Sequence, residues 1–375
     1  MNSNRSLFGW CLCMLFCAMA FSVMAIAHAE SPEFKLPPGF SAESWISKVP
    51  NARAMAMSEN GTLFISTRNK RGKIYAVPDV LSENRQLLVI AEGLEIPNGI
   101  AFYKGALYVA EAKRIIRFND IEKNLASPGP PEVIVADLPY KARSHSWKYL
   151  AVGPDQKLYV AYGAPCNVCD APELSVIVRM NTDGSDQEVF AEGVRNSVGF
   201  DWDPATGYFW FSDNGRDMLG DELPPGELNR AEKPGLHFGF PFCHGNDVVD
   251  PEFGESGKCE DSVGPAQALD PHVAPLGVRF YTGDMFPAEY QGQVFIAEHG
   301  SWNRSREAGK TGYRVSLVRL KDGEPISYEP FMTGFLDAEG KVHGRPVDIV
   351  NAPDGSLLVS DDDGSRIYRI IYSGN

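Results

Sequence analysis

The feature that most constrains this chain is a hairpin signal that recurs six times: a tight turn, then a short apolar strand ending on a small or acidic residue. The copies are Asn60-Gly61 before LFIST, Lys104-Gly105 before ALYVAE, Asp155-Gln156 before KLYVAY, Thr206-Gly207 before YFWFSD, Gln291-Gly292 before QVFIAE and Asp354-Gly355 before SLLVSD. An alternating segment precedes each turn (ARAMAMS, NGIAFY, YLAVG, VGFDWD, LGVRFY and VDIVNA), and a third follows most copies, such as KIYAV, RIIRF and SVIVRM. Alternation with period two buries one face of a strand, so each copy reads as three strands around tight turns. Six such units predict an all-β fold, a six-bladed β-propeller rather than a sandwich. QLLVIAEGL, EVIVADLP and QEVFAEGV supply a fourth, outer strand, which makes four-stranded antiparallel blades. FSAESWISKV is an outer-type strand with no blade before it, and the last blade, ending near Tyr372, lacks one. The two ends of the chain are therefore expected to pair and close the ring.

The turn copies lie about 44 to 51 residues apart early in the chain and about 85 apart between the fourth and fifth. This predicts a long insertion between blades four and five, over residues 214–272, carrying Cys243, Cys259 and the aromatic run HFGFPF. Loops of that length in a compact domain are functional or disordered, and the cysteines and aromatics here predict order.

The first residues carry Arg5, an apolar stretch from Leu7 to Ala25, and Ala27-His28-Ala29 before Glu30. This is the pattern of a secretory signal over 1–29, leaving a propeller domain over 30–375 in the periplasm or outside the cell. The stretch is nearly long enough to span a bilayer, and the Ala-x-Ala site decides for cleavage; nothing later is apolar enough to cross. Loss of Arg5 takes the net charge from −14 to −15, with no lysine-rich run. Nucleic acid is excluded as a partner on that ground, since phosphate binding needs clustered cations. Three of the seven cysteines lie in the leader, and the remaining four, Cys166, Cys169, Cys243 and Cys259, are read as two bridges. Local pairs, Cys166–Cys169 and Cys243–Cys259, are favoured over the other connectivities. Cys166-Asn167-Val168-Cys169-Asp170 lacks the histidine of a haem site, and no second Cys-x-x-Cys completes a zinc cluster.

In a propeller the innermost strands aim their ends at the central channel. The polar residues at or just before these strands are Arg53, Asn98, His145, Arg195-Asn196, His272 and Arg345, one position per blade. A single arginine at a strand end commonly caps loop carbonyls. Five blades offering a cation or potential cation, in an acidic protein, instead predict an anionic ligand with several carboxylates or phosphates. The histidines add a candidate general base.

Longer stretches then carry a resemblance: HSWKYLAVGPDQKLYV at 145, GVRNSVGF at 193, SDNGRDMLGDELPPGELN at 212, HFGFPFCHG at 237, VAPLGVRFYTG at 273, EHGSWNR at 298 and GRPVDIVNAPDG at 344. Together they resemble the soluble quinoprotein sugar dehydrogenases, the glucose/sorbosone dehydrogenase family, on its sorbosone and pyranose dehydrogenase side. The resemblance implies pyrroloquinoline quinone, a planar ortho-quinone with three carboxylates, over the mouth of a six-bladed propeller. It implies His145 as the catalytic base, with Arg195 and Asn196 beside the quinone oxygens. Arg53 and Arg345 join the cofactor-binding cations, and the main-chain carbonyls of Gly215 and Arg216 hold a calcium ion. The implied reaction is oxidation of a sugar, a sorbosone-like sugar aldehyde or a related alcohol, with electrons passed to an external quinone or cytochrome.

The chain departs from the glucose-oxidising pattern. Val347 stands where a second carboxylate-binding arginine is expected, Gly300 replaces a lysine, Ser144 replaces an acidic residue before the base, and His272 replaces a small hydroxyl residue. Arg304 or His299 is expected to supply the missing charge, and Trp302 to stack on substrate or cofactor. Two rival functions share the scaffold: a calcium-dependent lactonase, which needs carboxylates and asparagines on the axis, and a non-catalytic propeller that binds carbohydrate or protein.

Overall fold

The computed structural model describes residues 32–140 and 145–374. The leader expected over 1–29, its cleavage site and Ser144 lie outside the described residues. Six blade sheets follow one another along the chain, five of four strands and the third extended to five. Blade one comprises Ala52–Met57, Leu63–Thr67, Gly72–Val77 and Leu88–Leu94, and blade two Gly99–Tyr103, Ala106–Ala110, Ile115–Phe118 and Glu132–Val135. Blade three is built from Leu150–Val152, Leu158–Tyr162, Val176–Met180 and Glu188–Glu192. Blade five is Pro275–Phe280, Val294–Glu298, Arg314–Lys321 and Glu324–Met332. Blade six takes Pro346–Asn351, Leu357–Asp361 and Arg366–Tyr372 from the end of the chain and Phe40–Ser47 from its beginning. That last pairing runs antiparallel from Phe40 opposite Tyr372 to Ser47 opposite Arg366, so the chain ends close the ring as expected.

The hairpin turns explain the repeat physically. The second residue of every turn copy adopts positive φ: Gly61, Gly105, Gly207, Gly292 and Gly355, with Gln156 at 64° as the non-glycine copy. The strand after each turn is fully buried, and its fourth or fifth residue is small: Ser66, Ala110, Ala161, Ser212, Ala297 or Ser360. Each serine of this set donates to a carbonyl of the next blade, Ser66 to Asn98 at 2.6 Å, Ser212 to Leu276 at 2.6 Å and Ser360 to Arg53 at 2.7 Å. Neighbouring inner strands are thereby set in register around the axis. Aromatic and aliphatic side chains fill the wedges between blades, as where Phe40 from the closing strand meets Phe286, Tyr290 and Phe331 edge-on. Full burial of one such ring contributes about 1.5–3 kcal/mol.

The long interval after the fourth turn resolves differently from a loop between blades four and five. Residues 214–272 contain both outer strands of blade four, Pro225–Ala231 and Gln267–Pro271, which follow Phe200–Trp202 and Phe209–Asp213 in the sheet. The added chain is 232–266, inside blade four, and it lays Leu236–His237 parallel to the outer strand of blade three. The strand PGELNRA escapes the period-two pattern because it buries the polar Glu227 and Asn229 on either side of the apolar Leu228. Both disulfides favoured from the sequence are formed, Cys166–Cys169 and Cys243–Cys259. Among the described residues no helix is long and apolar enough to cross a membrane.

Candidate functional site

A cavity of about 400 Å³ opens at one mouth of the ring. Its walls include Arg53, His145, Arg195, Asn196, Gly215, Arg216, His272 and Arg345, so the structure gathers residues from blades one, three, four, five and six. Asn98 stays beneath the surface, where its Oδ1 accepts from Arg53 Nε at 2.9 Å and its amide donates to the Lys148 carbonyl. Arg304 does not line the cavity. Its guanidinium pairs with Glu222 at 2.8 Å, while the adjacent Asn303 turns inward and donates to Asp217.

His145 sits at φ 33°, a conformation uncommon for a residue with a side chain, and packs where a Cβ on Gly163 would lie 2.5 Å from its own. Its Nδ1 lies 2.8 Å from the Ala164 carbonyl. A carbonyl can only accept, so Nδ1 carries the proton and the neutral ring keeps its lone pair on Nε2. Burial, helped by the charge of Arg195, pushes the His145 pKa down to about 3. The ring is therefore held neutral, as a proton acceptor must be.

Arg195 is clasped from three sides: Nε donates to the Asn167 carbonyl at 2.8 Å, Nη2 to Asn167 Oδ1 at 2.9 Å, and Nη1 to the Asn214 carbonyl at 3.0 Å. The carboxylate of Asp213, at the end of the buried second strand, takes the main-chain N–H of both Arg195 and Asn196. Burial lowers the pKa of Arg195 against the opposing pull of Asp217 and Asp213. The Asn196 side-chain oxygen is buried and, among the described residues, has no hydrogen-bond partner, an orphan polar atom on the cavity wall.

On the opposite wall, Asp362 collects three groups. Arg53 and Arg68 approach one of its oxygens at 3.0 and 3.2 Å, and His299 Nε2 the other at 2.9 Å. Burial by itself would raise the Asp362 pKa, yet His299 and the two arginines hold it well below the usual carboxylate range. Arg345 differs: its guanidinium donates to the carbonyls of His299, Gly300 and Ser301 and to the Tyr313 hydroxyl, and it lies over the Tyr313 ring at 5.1 Å. All these acceptors are neutral, so its charge faces the cavity unbalanced by them.

Arg68, His299, Asn214 and Asp362 share a signal that a search of inner-strand starts passes over. Each directly follows the second strand of its blade. An antiparallel hairpin sets the end of strand two beside the start of strand one, as Ala52 opposite Thr67 and Pro346 opposite Asp361 show. Both ends therefore reach the same mouth.

The sequence pattern of the family described as glucose/sorbosone dehydrogenase matches residues 41–369, nearly the whole propeller. The chain belongs to the glucose/sorbosone dehydrogenase family. A protein of Borreliella burgdorferi described only as uncharacterized is 34% identical over 365 residues, 94% of each chain. Among solved structures, the holo form of the pyranose dehydrogenase PQQ domain from Coprinopsis cinerea superposes with a TM-score of 0.74 at 18% identity, covering 91% of this chain and 97% of that one. The PQQ-bound form of aldose sugar dehydrogenase from Streptomyces coelicolor gives 0.64 at 19% identity, covering 90% and 99%.

Two departures from the glucose-oxidising pattern of the glucose/sorbosone dehydrogenases have local causes. Gly300 has φ 97°, and a Cβ there would fall 2.4 Å from the Tyr313 ring, so no lysine fits. Val347 packs with Val198 and Leu276, both part of the cavity lining, into a small apolar cluster that an arginine would disrupt.

Proposed function

We propose that this glucose/sorbosone dehydrogenase family member oxidises a sugar, sugar aldehyde or related alcohol with pyrroloquinoline quinone and calcium, as an exported enzyme that delivers electrons to an external quinone or cytochrome. The observation that carries the reading is His145, half-buried in the mouth beside Arg195 with its tautomer set by the Ala164 carbonyl. The donor set fits a planar anionic cofactor. Arg345 offers a charge that its neutral partners leave unbalanced, and the buried Asn196 side chain has an unused oxygen. Calcium fits a different kind of donor. Among the described residues no group of three or more His, Cys, Asp or Glu side chains could hold a metal, so main-chain oxygens have to serve. The carbonyls of Gly215 and Arg216 suit this role, because among the described residues neither accepts a hydrogen bond. The Arg216 side chain is turned away into a pair with Asp250 at 2.6 Å and Glu252 at 2.9 Å.

When bound, the quinone would supply the hydride-accepting centre and calcium the Lewis acidity. His145 Nε2 would take the proton of the hydroxyl borne by the carbon being oxidised, for an aldehyde the hydroxyl of its hydrate, and the Ala164 carbonyl would steady the imidazolium that forms. Arg195 places positive charge where negative charge develops. Arg345 binds carboxylate, and Trp302, 69% exposed on the rim, offers an aromatic face to the substrate. The test is reconstitution of the exported protein with pyrroloquinoline quinone and calcium, followed by absorbance and dye reduction over a panel of sugars. A protein that takes up no quinone with calcium in excess overturns the reading.

A further inference from the structure

Blade three ends at the mouth in a short disulfide loop, and the segment 163–169 touches three parts of the site at once. The Ala164 carbonyl faces His145 Nδ1, and the Ala164 N–H donates to the Arg195 carbonyl at 2.7 Å. Three residues on, inside the Cys166–Cys169 ring, Asn167 accepts from the Arg195 guanidinium through both its main-chain and side-chain oxygens. The same side chain meets the turn after Gly215 and Arg216: Asp217 N–H donates to Asn167 Oδ1 at 2.8 Å, and Asn167 Nδ2 donates to the Asp217 carbonyl at 3.0 Å. These contacts settle which end of the amide is oxygen, because Oδ1 faces two donors and Nδ2 an acceptor. No other side chain of similar length offers that pair of an acceptor and a donor: aspartate lacks the donor and serine is too short.

We propose that Asn167 is a positioning residue that sets the registry between Arg195 and the Gly215–Arg216 turn, with the disulfide ring holding it at the required place. The consequence for cofactor and calcium binding rests on the function proposed above. With Asn167 in place, the cation and the two carbonyls move as one unit, and Asp217 extends it by accepting from Asn303 of blade five and pairing with Arg195.

The test uses the full exported protein with both disulfides intact and the variants Asn167→Ala and Asn167→Ser. In the cofactor-free protein, amide exchange at Asp217 is expected to speed up about tenfold or more in Asn167→Ala, with blades one and six unchanged. Titrated with pyrroloquinoline quinone and calcium and read by absorbance, both variants are expected to need roughly 10- to 100-fold more calcium for half-reconstitution. In an Arg195→Ala background the same substitution is expected to cost clearly less, since a partner of the coupling is already gone. Unchanged exchange at Asp217 overturns the proposal, and so does an equal cost with and without Arg195, the mark of a residue that merely stabilises the loop. If the wild type binds no quinone, the proposed function falls, while the exchange experiment still decides whether Asn167 holds the turn.

Discussion

The two walls of the mouth manage charge in opposite ways. On the wall of blades five, six and one, a buried carboxylate, Asp362, gathers Arg53, Arg68 and His299 into an ion cluster. On the wall of blades three and four, His145 and Arg195 are held mostly by carbonyl and amide oxygens, with Asp217 contributing a longer pair at 3.3 Å. An ion cluster fixes geometry and offsets part of its charge, here one carboxylate against two guanidinium groups. A cage of neutral acceptors fixes geometry without cancelling the charge it holds. The Asp362 cluster is therefore expected to matter chiefly for stability, and the residues held by neutral acceptors, Arg345 beside it and His145 and Arg195 across from it, chiefly for chemistry.

Substitutions on each wall should separate these roles. The largest effect is expected from His145→Ala, which should lower turnover by about 10²- to 10⁴-fold while quinone uptake, followed by absorbance, stays near the wild-type value. Retained turnover would break the assignment of the base. Next, Asp362→Asn strands Arg53, 3% exposed, without its counter-charge and should destabilise the fold by about 3–5 kcal/mol in urea denaturation. A near-neutral result would show that the two walls do not differ.

The pH dependence of stability sharpens the contrast further. His145 has a folded-state pKa of about 3, below its unfolded value of 6.5. The unfolded chain thus binds the proton first, and stability falls as pH drops from about 6.5 toward 3. At pH 5 the wild type should have lost about 2 kcal/mol relative to pH 8 that His145→Gln does not lose, measured as the difference between the two denaturation profiles. Parallel profiles would mean that the ring is not held neutral. The smallest effect is expected from Asp217→Asn, a partly exposed pair member that keeps an acceptor for Asn303. It should change stability by under about 1 kcal/mol, and a loss as large as that of Asp362→Asn would erase the distinction between the walls.

The ring was legible in the sequence: six turn signals, period-two strands, a spare outer strand at the start and a last blade short of one leave few other ways to bury the apolar faces. The sequence also placed Arg53, His145, Arg195, Asn196, His272 and Arg345 at one mouth, because position at the start of an inner strand is a local property read from the repeat. Which of these charges stay unpaired depends on contacts made between distant parts of the chain. Pairing of Arg304 with Glu222, of Arg216 with Asp250, and of Arg53 with Asp362 joins residues 34 to 309 positions apart. No local pattern encodes a contact at that distance. The outer strand pair of blade four was hidden for the same reason: Glu227 and Asn229 are buried against partners such as Gly245, which only the folded chain brings near.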